Sequence, residues 1–388
     1  MVLLQQFQFL PLYKKSSYTF YDNSIGGFQI FSYSAHYKVL TINESGNYCE
    51  LLILFDDDAK YLESLRNNGV KVQIVPKKIY KKGHFQRILY IMNYIKNNDF
   101  DIVHANEFPL IYYCSIIKMI LGKKMPKLVM TEHNTDNRRR HIKLSRPLEK
   151  LIYRNYDKVT SISDKVQGVL LDWLQPNDRD KYEVIYNGII IEDFRKSQSY
   201  KRSDLLPGIG EKDKLLCVIG SLTEQKNYFF MLEVMESLPD NYHVLCLGEG
   251  PLKQKIISKI QQKGLQKRVH LLGFRKDAAR ILKTVDVLVI PSLWEGFGLI
   301  AVEAMASKVP VIVSDVPGLS EIVGEAGVKC SVNNIEEFVQ AIKKVVNDSE
   351  YSHELIKLGE RQASKYDIRK MTENYLRLYE QLVKYIDI

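Results

Sequence analysis

Pro291–Gly318, PSLWEGFGLIAVEAMASKVPVIVSDVPG, decides the reading of this chain. It follows Val285–Ile290 (VDVLVI), an apolar, β-branched run that suits a buried strand. The next residues set Glu295 beside Gly296 and Gly298, so the backbone there can pass close to a ligand. A helix is expected from about Leu299, and its free N–H groups can receive a phosphate. Glu303 falls about one turn inside that helix, and Val309–Val313 reads as the next strand. Two glutamates at this spacing are common by chance, so the weight comes from the order strand, glycine loop, helix, strand. Amides for phosphates and carboxylates for hydroxyls together suit a sugar nucleotide.

The same rhythm extends on both sides. Lys214–Gly220, Tyr242–Leu247 and Val269–Leu272 read as strands, with helices expected over Asn227–Leu238, Pro251–Lys263, Ala278–Lys283 and Ile335–Asn347. In the first half, Cys49–Phe55, Val70–Val75, Ile102–Ala105, Lys127–Thr131 and Val159–Ser163 are strand candidates, while residues 1–25 hold only a weak opening strand. Phe194–Lys214 is polar, carries Pro207, Gly208 and Gly210, and has the composition of a linker. The chain closes on an amphipathic helix, about Ile368–Ile386, with Tyr375, Leu378, Tyr379 and Leu382 on one face. At 388 residues two domains are expected, 1–195 (joined by the last helix, about 368–388) and 196–367.

Composition bounds the function. With 45% hydrophobic and 26% charged residues the chain reads as soluble and globular. Its longest apolar runs are too short to cross a bilayer, and its start lacks the pattern of a signal peptide, so a cytoplasmic protein is expected. The five cysteines are scattered through apolar runs, without disulfide or metal-ligand spacing. The net charge of +9 is uneven: residues 1–200 carry 29 basic against 21 acidic side chains. The run Arg138, Arg139, Arg140, Lys143, Arg146, Lys150, Arg154, Lys158 reads either as a solvated helix face or as a surface for an anionic membrane or phosphorylated acceptor. Asp56-Asp57-Asp58 holds an Asp-x-Asp pattern of the kind that binds a divalent cation, but Leu62 and Leu65 follow at helical spacing and favour a helix cap.

The Pro291–Gly318 stretch resembles the donor-binding signature of the retaining GT-B glycosyltransferases of family four, the group-one glycosyltransferases. Gly220–Asn227 (GSLTEQKN) resembles the family's diphosphate loop: Lys226 matches its lysine, whereas Ser221 stands where the family has an arginine. Gly248-Glu249-Gly250 and Leu272-Gly273-Phe274 match further segments, the second implying that main chain near Phe274 and Arg275 reads the base. The resemblance further implies that Glu303 holds the ribose hydroxyls, Glu295 the transferred sugar, and the backbone from Phe297 to Leu299 the phosphates. Gly26-Gly27 matches the glycine loop of the first domain. His133 matches a histidine approaching the sugar from the acceptor side, although a histidine ending a strand is often structural; His104–Asn106 is a weaker neighbour. Asn187-Gly188 resembles a turn closing the first domain, with Ile190 where an aspartate is usual.

The implied fold is α/β with GT-B architecture, two facing doubly wound, Rossmann-like domains around an interdomain cleft. The implied activity is metal-independent transfer of a sugar, with retention, from a UDP- or GDP-type donor and without a cofactor. The implied acceptor is a glycan or lipid-linked glycan of cell-surface polysaccharide synthesis, met in the cytoplasm or peripherally on the inner face of the plasma membrane. Two rivals stay open: a sugar-nucleotide epimerase or hydrolase of the same fold, and a nucleic-acid-binding protein using the basic run. No nucleic acid is expected, because no aromatic-interleaved motif supports it.

Overall fold

The computed structural model describes residues 16–21, 42, 48–54, 63, 65–106, 108–135, 138–142 and 145–384. Gly26, Gly27, Asp56–Asp58 and Lys143 lie outside the described residues. The strands are β1 (Ser16–Tyr21), β2 (Tyr48–Ile53), β3 (Lys71–Ile74), β4 (Phe100–Asn106), β5 (Lys127–Glu132), β6 (Lys158–Ser161) and β7 (Tyr182–Val184), then β8 (Lys214–Ile219), β9 (Tyr242–Leu247), β10 (Val269–Gly273), β11 (Val287–Ile290), β12 (Val311–Ser314) and β13 (Val328–Cys330). They form two sheets, ordered 3-2-1-4-5-6-7 and 10-9-8-11-12-13. Every pairing is parallel. Both orders are doubly wound, and each reverses beside its first strand: between β1 and β4, and between β8 and β11.

The chain divides into two compact units. The first comprises Met1–Ser161, Leu171–Ile185 and Thr372–Ile388; the second comprises Ile162–Leu170 and Tyr186–Met371. A parallel sheet covered on both faces needs strands that are apolar on both sides. The second sheet has them: Leu215–Val218, Val287–Ile290 and Val311–Val313 are all buried. Alternate residues Leu216, Val218, Val244, Val287 and Val289 share one core with Phe230, Met231, Ile256, Phe338 and Ile342 of three helices. The Leu299–Ala306 helix packs against the Ser349–Ala363 helix. In the first unit, Tyr375, Leu378, Tyr379 and Leu382 of the Ile368–Lys384 helix are buried.

Two expectations change here. The Phe194–Lys214 segment is not a loose linker: Tyr200 N–H donates to Thr284 Oγ1 at 2.9 Å, the Tyr200 hydroxyl donates to Asp277, and Arg202 pairs with Asp286 at 2.5 Å. Side-chain contacts spaced along the segment hold it to the second unit. His104 is not a ligand-facing group. It is fully buried, its Nδ1 lies 2.6 Å from the Tyr379 hydroxyl, and its Nε2 lies 2.7 Å from Thr131 Oγ1. Both ring nitrogens are thus engaged in binding β4 to β5 and the last helix.

Candidate functional site

In a doubly wound sheet ligands bind beyond the carboxyl ends of the strands, where the strand order reverses. At the β8/β11 reversal the loops after the two strands are joined. Leu293 N–H donates to Gln225 O at 2.8 Å, and the Gln225 side chain donates to Trp294 O at 2.9 Å. A 3-10 turn, Glu224–Lys226, then aims Lys226 across the seam, where its ammonium pairs with the Glu295 carboxylate. Both side chains are largely enclosed, at 12% and 9% exposure. Buried Ser292 donates to the same carboxylate at 3.1 Å. Lys226 and Glu295, far apart in sequence, therefore form one polar centre.

The glycines around it meet steric demands. Gly248 N–H donates to Gly273 O, and a Cβ at Gly248, whose φ is 144°, would stand 1.9 Å from Gly220 O. No side chain fits there, so the loops after β8, β9 and β10 close on one another only through glycine. Gly298 caps the Leu299–Ala306 helix with φ 84°, a left-handed conformation that ordinary residues avoid. Ala301 N–H turns back to Gly298 O at 2.9 Å, while the Leu299 and Ile300 amides ahead of it have no acceptor among the described residues and carry the positive end of the helix dipole. Glu303 is half-buried on the same helix, and its carboxylate accepts no hydrogen bond from the described residues. Burial pushes this carboxyl up to about 8, so it holds its proton at neutral pH.

The sequence-selected residues fall into two groups. Ser221, Lys226, Gly248, Phe274, Arg275, Glu295, Gly296, Phe297, Gly298, Leu299 and Glu303 all belong to the second unit, around the carboxyl ends of β8–β11. The Phe297 side chain is buried and edges against Tyr366, with centroids 5.5 Å apart; only its main chain can meet a ligand. Phe274 is 47% exposed, while the Arg275 side chain is held by Asp277 at 2.8 and 2.5 Å. That pairing raises the Arg275 pKa and depresses that of Asp277. His133 belongs to the first unit, at the carboxyl end of β5, nearly buried, with Nε2 3.3 Å from Asn106 Oδ1.

Sequence reasoning missed Ser163. Fully buried, it accepts from Val166 N–H at 3.2 Å as an N-cap and donates to Gly296 O at 2.8 Å. The order Ser-Asp before an apolar periodic run announces the cap. Nothing in the sequence announces the bond to Gly296.

A pair of doubly wound parallel sheets of this kind, with a glycine loop and paired charges at a strand-order reversal, is the architecture of the GT-B glycosyltransferases. The chain belongs to the group 1 glycosyltransferases: the family described as Glycosyl transferases group 1 matches residues 206–362, and Glycosyltransferase Family 4 matches residues 42–193. It is an enzyme, a glycosyltransferase. The UDP-Gal:alpha-D-GlcNAc-diphosphoundecaprenol alpha-1,3-galactosyltransferase of Escherichia coli is 28% identical over 277 residues, covering 67% of this chain and 70% of that protein. An N-acetylgalactosamine-N,N'-diacetylbacillosaminyl-diphospho-undecaprenol 4-alpha-N-acetylgalactosaminyltransferase of Campylobacter jejuni is 26% identical, covering 58% of this chain and 62% of its own. Among solved structures, Anabaena HepE in complex with UDP superposes with TM-score 0.77 at 17% identity, covering 95% of this chain and all of that one. A Rickettsia africae glycosyltransferase superposes with TM-score 0.81 at 16% identity, covering 96% and 100%. At such identities the structural likeness speaks for the fold alone.

Proposed function

We propose that this enzyme moves a sugar from a nucleoside diphosphate sugar of the UDP or GDP type to a glycan or polyprenyl-linked glycan, with retention, during cell-surface polysaccharide synthesis. The observation that carries the reading is the Lys226–Glu295 pair at the β8/β11 reversal, beside the amides that open the Leu299–Ala306 helix. As the glycosidic bond to phosphate breaks, negative charge grows on the leaving diphosphate and positive charge on the anomeric carbon. Lys226 and the helix amides stabilise the first, and Glu295 lies beside Lys226 to meet the second. Ser221 brings a hydroxyl but no charge, so Lys226 is the diphosphate's main cationic partner. Fixed positive groups take the part a metal ion plays elsewhere, and transfer proceeds without one.

Glu303, whose carboxyl has no partner among the described residues, receives the ribose hydroxyls, and main chain at Phe274 and Arg275 meets the base. His133 is assigned to the acceptor side, and Gly26-Gly27, which lie outside the described residues, are assigned to the donor. In this reading residues 196–367 hold the donor, and residues 1–195 with the last helix hold the acceptor. The E. coli and C. jejuni relatives, by their names, act on undecaprenyl-linked diphosphosugars. An acceptor of that chemistry supports a cytoplasmic enzyme that works peripherally on the inner face of the membrane. Among the described residues no helix is long and apolar enough to cross a membrane.

A thermal-shift screen of UDP, GDP, ADP and their sugars tests the donor, because a ligand of the native state raises apparent stability by mass action. A UDP or GDP sugar should raise the melting temperature most. Product analysis with that donor and a lipid-linked acceptor should then show a new glycosidic bond. A rearranged or hydrolysed donor, with no bond formed, would replace transfer by epimerisation or hydrolysis.

A further inference from the structure

Residues 64–98 contain eight basic side chains and no aspartate or glutamate, the most one-sided stretch of the chain. Its centre is PKKIYKKGHF, residues 76–85, between β3 and the His84–Lys96 helix. Lys77–Tyr80 forms one helical turn, extended by Lys81 N–H to Lys77 O at 3.0 Å. Lys77, Lys78, Lys81 and Lys82 are all exposed, and none has an ion-pair partner among the described residues. Ile79 and Tyr80 are half-buried instead. Arg87 stacks on the Tyr80 ring at 3.7 Å and donates twice to Tyr80 O, at 2.9 and 2.7 Å. His84 Nδ1 lies 2.5 Å from the Tyr113 hydroxyl. The lysines therefore stand on an anchored turn. Beside them Phe85 is 68% exposed, more than any other large apolar side chain among the described residues.

We propose that this turn is a docking surface for a bilayer containing anionic phospholipid, with the four lysines at the headgroups and the Phe85 ring in the interface. Four exposed ammonium groups within six residues, with no ion-pair partner among the described residues, complement a negatively charged plane. An exposed aromatic ring among them has no use in water but gains by entering the headgroup boundary. The Arg138–Lys158 run is the poorer candidate. Arg140 is turned inward, its side chain 7% exposed and 3.6 Å from Glu132; Arg146 donates to Trp173 O at 2.7 Å, and Lys158 to Asp180 O at 2.8 Å. Only Lys150 and Arg154 of its described side chains stand open. The proposal adds a membrane-facing surface to the glycosyltransferase reading and does not depend on the identity of donor or acceptor.

Sedimentation with vesicles tests it, using the full chain, phosphatidylcholine alone, and phosphatidylcholine mixed with phosphatidylglycerol. The wild type should bind the mixed vesicles and not the neutral ones, and added salt should release it. Changing Lys77, Lys78, Lys81 and Lys82 together to Gln should weaken binding on the order of a thousandfold. Lys150→Gln with Arg154→Gln should leave it unchanged. The quadruple variant should keep the wild-type melting temperature and donor-induced shift, which separates this result from any failure of the donor reading. Phe85→Trp, with the lysines intact, should show a blue-shifted emission on mixed vesicles. Equal binding to both vesicle types, no effect of the four changes, or an unmoved Trp emission would overturn the proposal. So would self-association through this turn that ignores vesicles and disappears in the quadruple variant.

Discussion

The Lys226 ammonium and the Glu295 carboxylate close an ion pair across the seam between β8 and β11, the strands at which the second sheet reverses its order. Each group is already neutralised before a donor arrives. In the proposed reading an incoming diphosphate draws Lys226 away from Glu295, and the carboxylate so released faces the sugar. The pair holds both side chains in place, and in that reading it competes with the nucleotide for Lys226.

Lys226→Ala should weaken binding of the nucleoside diphosphate by about 1.5–3 kcal/mol, the range for hydrogen bonds to charged groups. Glu295→Gln should act in the opposite direction on affinity. With its competitor neutral, Lys226 is released to phosphate, so calorimetry should show binding tightened by up to about 1 kcal/mol. Turnover should nevertheless fall, because the carboxylate is lost from the sugar. A Glu295→Gln enzyme with weakened nucleotide binding and normal turnover would reverse the assignment of the two roles.

Glu303 gives a proton signature. Its carboxyl is protonated in the free enzyme at neutral pH, being held up to about 8 by burial. Ribose hydroxyls donating to the carboxylate favour the charged form, so nucleotide binding at pH 7 should release a proton. Titration calorimetry in buffers of different ionisation enthalpy should detect the release, and Glu303→Gln should abolish it and weaken binding. Stability follows the same sign. Between the ordinary glutamate pKa and about 8 the native state binds the extra proton, so stability conferred at low pH is lost as pH rises through that window. Glu303→Gln should flatten that slope in urea melts across pH.

Gly248→Ala forces a methyl group into the Gly220 carbonyl and an alanine into φ 144°. The backbone must shift, at a cost of about 3 kcal/mol, the upper end for strained conformations. Denaturation should register the loss, and nucleotide affinity should fall with it because the loop before Lys226 moves.

Ser163→Ala removes a helix cap and leaves Gly296 O without its donor. A stability loss of about 1–2 kcal/mol is expected from the cap. If Ser163 positions the glycine loop, kcat should drop more than KM rises, and Ser163→Thr should restore part of it. A purely structural role would lower the melting temperature and leave kcat unchanged.

Much of the second unit was legible because its periodicity is strong. Tyr242–Leu247 and Ile335–Asn347 run between the same residues in the structure as in the sequence reading. The Ser349–Ala363 helix gave no such signal. Its buried face is Leu355, Gly359 and Ala363, and Gly359 lies close enough to Met305 that a Cβ would stand 3.3 Å from Met305 Cγ. Small residues that allow close packing do not register as apolar periodicity. β7 is three residues long, too short for alternation to show. At the site, residue types were readable but pairings were not. Lys226 and Glu295 were assigned to phosphate and sugar separately, since sequence carries no distance between loops. His104 was placed near a ligand for want of knowing that Tyr379, at the far end of the chain, takes its Nδ1.

The central claim is that fixed groups of this chain, with Lys226 foremost, bind a nucleoside diphosphate sugar without a metal. Titration calorimetry of the best donor from the thermal-shift screen, in excess EDTA, with wild type and Lys226→Ala side by side, tests it most directly. The account predicts one saturable site that survives EDTA in the wild type and is weakened about tenfold or more by Lys226→Ala. Binding that requires added magnesium or manganese, ignores Lys226→Ala and disappears when Asp56 and Asp58 are changed to Ala would contradict it.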